Sequence, residues 1–130
     1  MRIFLQPNLL ALETPDEARA QLDYLADAGA QLIVVADAPL PDWEELGVPA
    51  LRYESDATAG RRGDWWLTAD PEECAVRPAH GVRSILVGGA YDPGPGGSRC
   101  DLGAPNLRSA VLEILSREAM PQGTGTGQSA

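Results

Sequence analysis

Short apolar runs alternate along the chain with stretches of amphipathic pattern. The strongest run is QLIVVAD at 31–37, and similar runs occur in RIFL at 2–5, DWWLT at 64–68 and RSILVGG at 83–89. Uninterrupted apolar runs of this length are typical of parallel strands that are buried on both faces. PALRYE at 49–54 is a weaker run between polar segments. The pattern therefore predicts five strands.

Helix signals lie between these strands. Thr14 is placed as an N-cap, Pro15 follows at the first helical position, and Glu17 stands three residues after the cap. Apolar residues at helical spacing continue to Gly29, a typical helix terminator, so we predict a helix over 14–28. Three more segments are predicted to be helical: 42–47, 70–81 with the same capping pattern, and 105–117.

The alternation of strands and helices predicts one α/β domain over residues 1–118. We expect a three-layer, Rossmann-like open parallel sheet with helices on both faces. The tail, 119–130, ends in PQGTGTGQSA, which has no apolar side chain to anchor it, and is predicted to be disordered. In such sheets ligands bind beyond the carboxyl ends of the strands, which directs attention to the residues that follow each strand.

Composition narrows the choice of partners and compartment. The 130 residues carry a net charge of -9, so a phosphate backbone would be repelled, and we expect no nucleic-acid partner. The N-terminus lacks the pattern of a signal peptide and the apolar runs are too short to span a membrane, which predicts a cytoplasmic protein without membrane contact. Cys74 and Cys100 lack the spacing of a metal or redox motif, so reduced, buried thiols are predicted.

Three stretches together resemble the haloacid dehalogenase-like (HAD) superfamily of phosphatases. RIFLQPNLL at 2–10 resembles its opening motif, an apolar strand followed by D-x-D-x-T, and LIVVADAP at 32–39 lies where its second motif would fall. WWLTADPEECAVRPAHGVRSILVGG at 65–89 resembles its fourth motif. The resemblance implies a sheet with the first strand central, the second and third on one side, and the fourth and fifth on the other, so that Gln6 and Thr68 lie close together.

The opening motif is changed at each position that carries chemistry. By the resemblance, the nucleophilic aspartate falls on Gln6, the acid/base aspartate on Asn8 and the threonine on Leu10. A neutral amide is a poor nucleophile and forms no hydrolysable acyl phosphate. The aspartyl-phosphate mechanism of the family is therefore not expected.

The remaining motif positions are also altered. The hydroxyl of the second motif falls on Ala36, the metal-binding aspartate of the fourth motif falls on Ala69, and the second acidic position is Glu73. For the lysine of the third motif only Arg61 and Arg62 are nearby. Magnesium prefers carboxylate oxygens, and Gln6, Asn8 and Ala69 supply none, so no bound metal or other cofactor is expected.

The other polar residues have ordinary structural interpretations. Asp70 precedes a proline and is most simply a helix cap, Asp37 opens a proline turn, and His80 lies beside the glycine that ends its predicted helix. Trp65 and Trp66 point to opposite faces of a strand and are expected in the core. As candidate ligand-binding positions at the strand ends we list Gln6, Asn8, Asp37, Thr68 and Asp70.

We interpret the chain as a minimal HAD-like domain without a cap domain that has lost catalysis and acts as a binding or regulatory module, with an open strand-end face suited to a protein partner. One alternative is a weak phosphatase that uses the displaced acids Asp37 and Asp70, with Mg²⁺. Another is a subunit whose open face is completed by a partner chain. The sequence leaves the ligand and the oligomeric state open.

Overall fold

The computed structural model describes residues 1–49, 51–55, 62–75, 82–88 and 100–119. These residues form a single parallel sheet of six strands, flanked by three α-helices and two short 3₁₀ helices. The strands are β1 (Arg2–Leu5), β2 (Gln31–Val35), β3 (Arg52–Glu54), β4 (Trp65–Thr68), β5 (Arg83–Val87) and β6 (Leu102–Ala104).

The strand order is β3-β2-β1-β4-β5-β6, and each neighbouring pair is parallel. This confirms the order expected for the first five strands. The sixth strand, β6, was not predicted, because it is only three residues long and contains Gly103. It extends the sheet beside β5.

The three α-helices are α1 (Pro15–Asp27), α2 (Pro41–Glu44) and α3 (Leu107–Ala119). The N-cap predicted for α1 is present, since the Glu17 amide donates to Thr14 Oγ1 at 3.2 Å. Gly29 adopts a positive φ of 92° just after that helix, as expected for a terminating glycine. Glu13, just before α1, also contacts the start of α3, because the Leu107 amide donates to its Oε2 at 3.1 Å.

All three α-helices pack against the same face of the sheet. Leu22 of α1, Trp43 of α2 and Ile114 of α3 share one buried cluster with Ile3 and the other strand residues of that face. The prediction of helices on both faces is thus supported for one face only among the described residues. The connections after β3, β4 and β5 include 56–61, 76–81 and 89–99, which lie outside the described residues.

The second face of the sheet is nevertheless buried. Phe4, Ile33 and Trp66 form a cluster there and are at most 2% exposed. Trp65 belongs to the opposite cluster, which confirms that the two adjacent tryptophans lie on opposite faces within the core. Strands buried on both sides explain why the apolar runs in the sequence are continuous instead of alternating.

The prediction of reduced thiols is wrong, whereas burial is confirmed for Cys100. Cys100 is disulfide-bonded and lies buried against Leu86. Its separation in sequence from Cys74, the chain's other cysteine, gave no local motif from which pairing could be recognised. Disulfides are rare in cytosolic proteins, and the cytoplasmic location stays a prediction.

Other predicted features lie outside the described residues. These are His80, Arg61 and the proposed disorder of the tail after residue 119. Among the described residues, no helix combines the length and the apolar character that crossing a membrane requires.

Gly88 ends β5 in a conformation that favours glycine. Its φ is 72°, and a Cβ built on it would lie 2.9 Å from Leu12 Cδ1. Its amide donates to the Ala104 carbonyl at 2.7 Å, so the backbone is fixed by β6. Both the backbone angle and the contact oppose a side chain here.

We predict that Gly88→Ala destabilises the fold by more than Gly29→Ala, which also adopts a positive φ but has open space at its Cβ. The cost at Gly29 should be about 1 kcal/mol, from the backbone angle alone. Urea unfolding of both variants, with and without Leu12→Ala, measures the difference. Leu12→Ala should cost less in the Gly88→Ala background than in wild type. Equal destabilisation by the two alanines would contradict the contact.

Candidate functional site

The carboxyl ends of β1, β2 and β4 meet at one edge of the sheet, which we call the carboxyl edge. Leu5 of β1 pairs with Val34 of β2 and with Leu67 of β4, so Gln6 emerges between these two neighbours. The Gln6 amide donates to the Leu67 carbonyl at 3.0 Å. The expected proximity of Gln6 and Thr68 is confirmed. It follows from the parallel pairing of the central strand.

A 3₁₀ helix at Pro7–Leu12 follows β1, where the sequence predicted no helix. Pro7 occupies its first position, and the Leu9 amide donates to the Gln6 carbonyl at 3.1 Å. This short helix turns Asn8 back over the end of β4. The position to which the HAD resemblance assigns an acid/base aspartate is thereby held against the sheet.

Asn8 bridges the ends of β1 and β4. Its Oδ1 accepts a hydrogen bond from the Ala69 amide at 3.0 Å, and its Nδ2 donates to Thr68 Oγ1 at 3.4 Å. Thr68 is fully buried, and its Oγ1 also accepts from the Asp70 amide at 3.1 Å. Both polar atoms of the Asn8 amide are thus used within the fold, which gives this residue a structural role.

Asp70 caps the segment that follows β4, as the sequence analysis predicted. Its Oδ1 accepts from the Glu72 amide at 2.9 Å, and its carbonyl accepts from the Glu73 amide at 3.1 Å. The helix that begins here is a 3₁₀ helix over Pro71–Ala75, and 76–81 lie outside the described residues. Capping accounts for one oxygen of the Asp70 carboxylate.

Asp37 and Asp70 are on different sides of the central strand. Asp37 follows β2 and is exposed, whereas Asp70 follows β4, and β1 lies between these strands. Two strand spacings correspond to about 10 Å at the sheet edge. Ala36, between Val35 and Asp37, packs its methyl group against the helix-side core and offers no polar atom. Arg62 is exposed in the turn that precedes β4, at the opposite edge of the sheet from Asp37.

The magnesium that the HAD resemblance would imply does not fit these residues. Gln6, Asn8 and Ala69 provide no carboxylate, and both amide atoms of Asn8 are already hydrogen-bonded. Among the residues that the structure describes, no group of three or more His, Cys, Asp or Glu side chains is arranged to hold a metal ion. The hard oxygen ligands that Mg²⁺ requires are not assembled at this edge.

A groove that the sequence did not predict lies beside the carboxyl edge, between the 3₁₀ helix Pro7–Leu12 and the segment 40–46. We call it the acidic groove. It consists of two adjoining open clefts of about 460 and 250 Å³, which share Leu10 and Asp42 among their lining residues. No local sequence motif marks it, because the adjacency of β1 and β2 creates it by bringing two short segments together.

Two tryptophan side chains have a buried Nε1 without a hydrogen-bond partner among the described residues. They are Trp43, which lines the acidic groove, and Trp66, which lies in the cluster on the other face of the sheet. Burial raises the pKa of Tyr53 on β3, and the negative charge of Glu44 adds to this, while a hydrogen bond with the Leu40 backbone acts in the opposite direction. Native proteins leave few buried donors unpaired.

The fold and the carboxyl edge define an α/β protein with an open parallel sheet. Comparisons of the chain with protein-family models, with curated proteins and with solved structures find no match. The resemblance to the HAD superfamily therefore stays a prediction from the pattern of residues.

We predict that Asn8→Ala lowers stability by about 1–2 kcal/mol, because it leaves the Ala69 amide without its acceptor. Asn8→Asp should be milder at neutral pH, because a carboxylate can still accept from Ala69 and the Thr68 hydroxyl can rotate to donate. Gln6→Ala is the matched control, since the backbone of Gln6, and not its side chain, bonds to Leu67 and Leu9. Thermal melts measure all three. An Asn8→Ala variant as stable as Gln6→Ala would refute the bridge.

Proposed function

We propose that this chain is a catalytically degenerate, HAD-like domain that acts as a binding or regulatory module. One observation carries the proposal. By the HAD resemblance Asn8 lies at the position of the acid/base aspartate, and its Oδ1 and Nδ2 are hydrogen-bonded to Ala69 and Thr68. A side-chain amide is neither acidic nor basic near neutral pH, so a residue that is held here by two hydrogen bonds cannot act as a general acid or base toward a substrate. Its neighbour Gln6 is likewise uncharged.

The lack of charge at positions 6, 36 and 69 of the carboxyl edge supports the same conclusion. Phosphoryl transfer needs a nucleophile together with cations or donors that neutralise charge as the leaving group departs. Gln6, Ala36 and Ala69 supply neither. Amide and methyl groups in these places stabilise the fold without metal, because no cluster of like charges has to be compensated.

An open edge suits a macromolecular partner. Between β1 and α1 the chain forms only the 3₁₀ helix and a short link, and β3 and β4 are joined by residues 55–64, so neither connection is long enough to be a cap domain. Enzymes of this type commonly use such a domain to exclude water from the reaction. A protein partner on the strand-end face needs no such closure.

The first test is turnover of a generic phosphate ester with Mg²⁺. We expect the purified chain to hydrolyse it no faster than buffer, because nucleophile, acid and metal ligands are all replaced. The alternative, a weak phosphatase with displaced acids, predicts a measurable rate that Asp70→Asn and Asp37→Asn abolish while Gln6→Ala leaves it intact. Such a pattern would replace the proposed function with an enzymatic one.

The second test restores the carboxylates. Gln6→Asp, Asn8→Asp and Ala69→Asp together should form a cluster that repels itself, so the triple variant should melt at a lower temperature than wild type. Added Mg²⁺ should raise its melting temperature, because a ligand that binds only the folded state stabilises it. Wild type should show no such rise.

A charge-matched variant controls for the added negative charge. Ala28→Asp, Gln31→Asp and Ser116→Asp place three carboxylates at exposed positions elsewhere on the chain. This control should not respond to Mg²⁺ beyond the small effect of ionic screening. If the restored variant and the control responded alike, positions 6, 8 and 69 would not converge and the HAD-like assignment would have to be withdrawn.

A further inference from the structure

The acidic groove has preformed walls. Pro7 and Pro41 line one of its clefts and Pro15 the other, each at the start of a helical segment. Proline fixes its φ and has no amide hydrogen, so these walls are stiff and offer few backbone donors to a ligand. A ligand that enters a preformed groove loses less free energy to ordering of the protein than one that must organise it.

The groove combines an apolar surface with negative charge. Leu10, Ala11 and Leu40 supply apolar lining, while Glu13, Asp42 and Glu45 carry carboxylates. None of its described lining residues is a lysine or an arginine, and the whole chain has a net charge of -9. The groove is therefore complementary to a partner that presents cations together with aliphatic side chains.

Trp43 can report on occupancy of the groove. It lines the larger cleft and is 2% exposed, and its buried Nε1 has no hydrogen-bond partner among the described residues. A peptide seated in this cleft would change the surroundings of the indole, whereas a small cation held by the exposed carboxylates would not pack against it.

We propose that the acidic groove docks a basic peptide segment of a partner protein, with lysine or arginine side chains directed to Asp42 and Glu45 and aliphatic side chains on the apolar lining. This proposal rests on the proposed function, since it names the kind of partner that the binding module would take. The open form of both clefts suits an extended segment of chain better than an enclosed small molecule.

The three tryptophans provide site-resolved reporters. The probe is a short acetylated and amidated peptide of alternating lysine and leucine, titrated into ¹⁵N-labelled protein while the indole N–H resonances are followed, with Trp43→Phe used for assignment. We expect the Trp43 resonance to shift and saturate. The resonances of Trp65, whose Nε1 donates to Glu118 at 3.0 Å, and of Trp66, which lies in the cluster on the other face, should stay in place.

Paired variants separate the groove from the general negative charge of the protein. Asp42→Asn with Glu45→Gln should weaken binding by roughly tenfold, because two exposed carboxylates that face the peptide are neutralised. Glu44→Gln is the matched control for Glu45→Gln alone, since each removes one carboxylate charge from an exposed residue. Glu44 lines neither cleft, so its substitution should change the affinity less than about twofold. Glu13 is left intact because it caps α3.

Two further ligands distinguish docking of a peptide from attraction of any cation. A lysine–serine peptide of equal charge should bind more weakly than the lysine–leucine peptide, since it lacks aliphatic side chains, and spermidine should leave the Trp43 resonance unshifted. Three outcomes would each overturn the proposal. They are a lysine–serine peptide or spermidine that shifts the Trp43 resonance as much as the lysine–leucine peptide does, a Trp43 resonance that does not move with the lysine–leucine peptide, and a loss of affinity as large for Glu44→Gln as for the groove variant. These outcomes are independent of phosphatase activity, so the proposed function can stand if the groove assignment fails.

Discussion

Parallel pairing of the central strand β1 with both β2 and β4 is the interaction on which the rest of the structure depends. Ile3, Phe4 and Leu5 are fully buried, and successive side chains enter the cores on opposite faces of the sheet. Burial of apolar side chains of this size contributes about 1.5–3 kcal/mol each. Because the strands are parallel, their carboxyl ends necessarily meet at one edge, and the residues that follow β1 and β4 become neighbours.

Hydrogen bonds between neutral groups join the ends of β1 and β4 at the carboxyl edge. In an enzyme with clustered carboxylates, the repulsion between them reduces stability unless a metal ion compensates it. Here Asn8 bonds to the end of β4, the Thr68 hydroxyl bonds to the Asp70 amide, and Asp70 caps the next segment. These hydrogen bonds lie at positions where the HAD resemblance would place catalytic and metal-binding groups, and this is the physical basis for proposing a module that binds without catalysis.

The sequence was most informative where local chemistry and burial agree. The cap at Thr14, the terminating Gly29 and the first five strands were predictable, because capping and continuous apolar runs are local signals. The order of those strands was an expectation from the HAD resemblance, and the sheet has that order. The short strand β6 and the disulfide at Cys100 were not predictable. A three-residue strand has no pattern of its own, and disulfide pairing depends on contacts between distant segments.

The candidate site, too, was predictable only in part. The strand order implied by the HAD resemblance placed Gln6 and Thr68 close together, and the sequence assigned the capping role of Asp70 from the proline that comes next. It did not indicate that Asn8 bridges two strands, because the 3₁₀ helix that turns it back is formed by tertiary packing. The acidic groove was missed for a related reason: Leu10 and Asp42 belong to different segments that only the folded sheet brings together.

The central claim is that positions 6, 8 and 69 at the carboxyl edge are uncharged and that the fold holds Asn8 in place. A magnesium titration of wild-type protein tests this claim most directly. The backbone amide resonances of Asn8, Ala69 and Asp70 report on the strand ends that the Asn8 bridge joins. With ionic strength held constant, these resonances should show no saturable shift at millimolar Mg²⁺. A saturable shift confined to these amides would show that a metal site exists at the carboxyl edge, and would contradict the account.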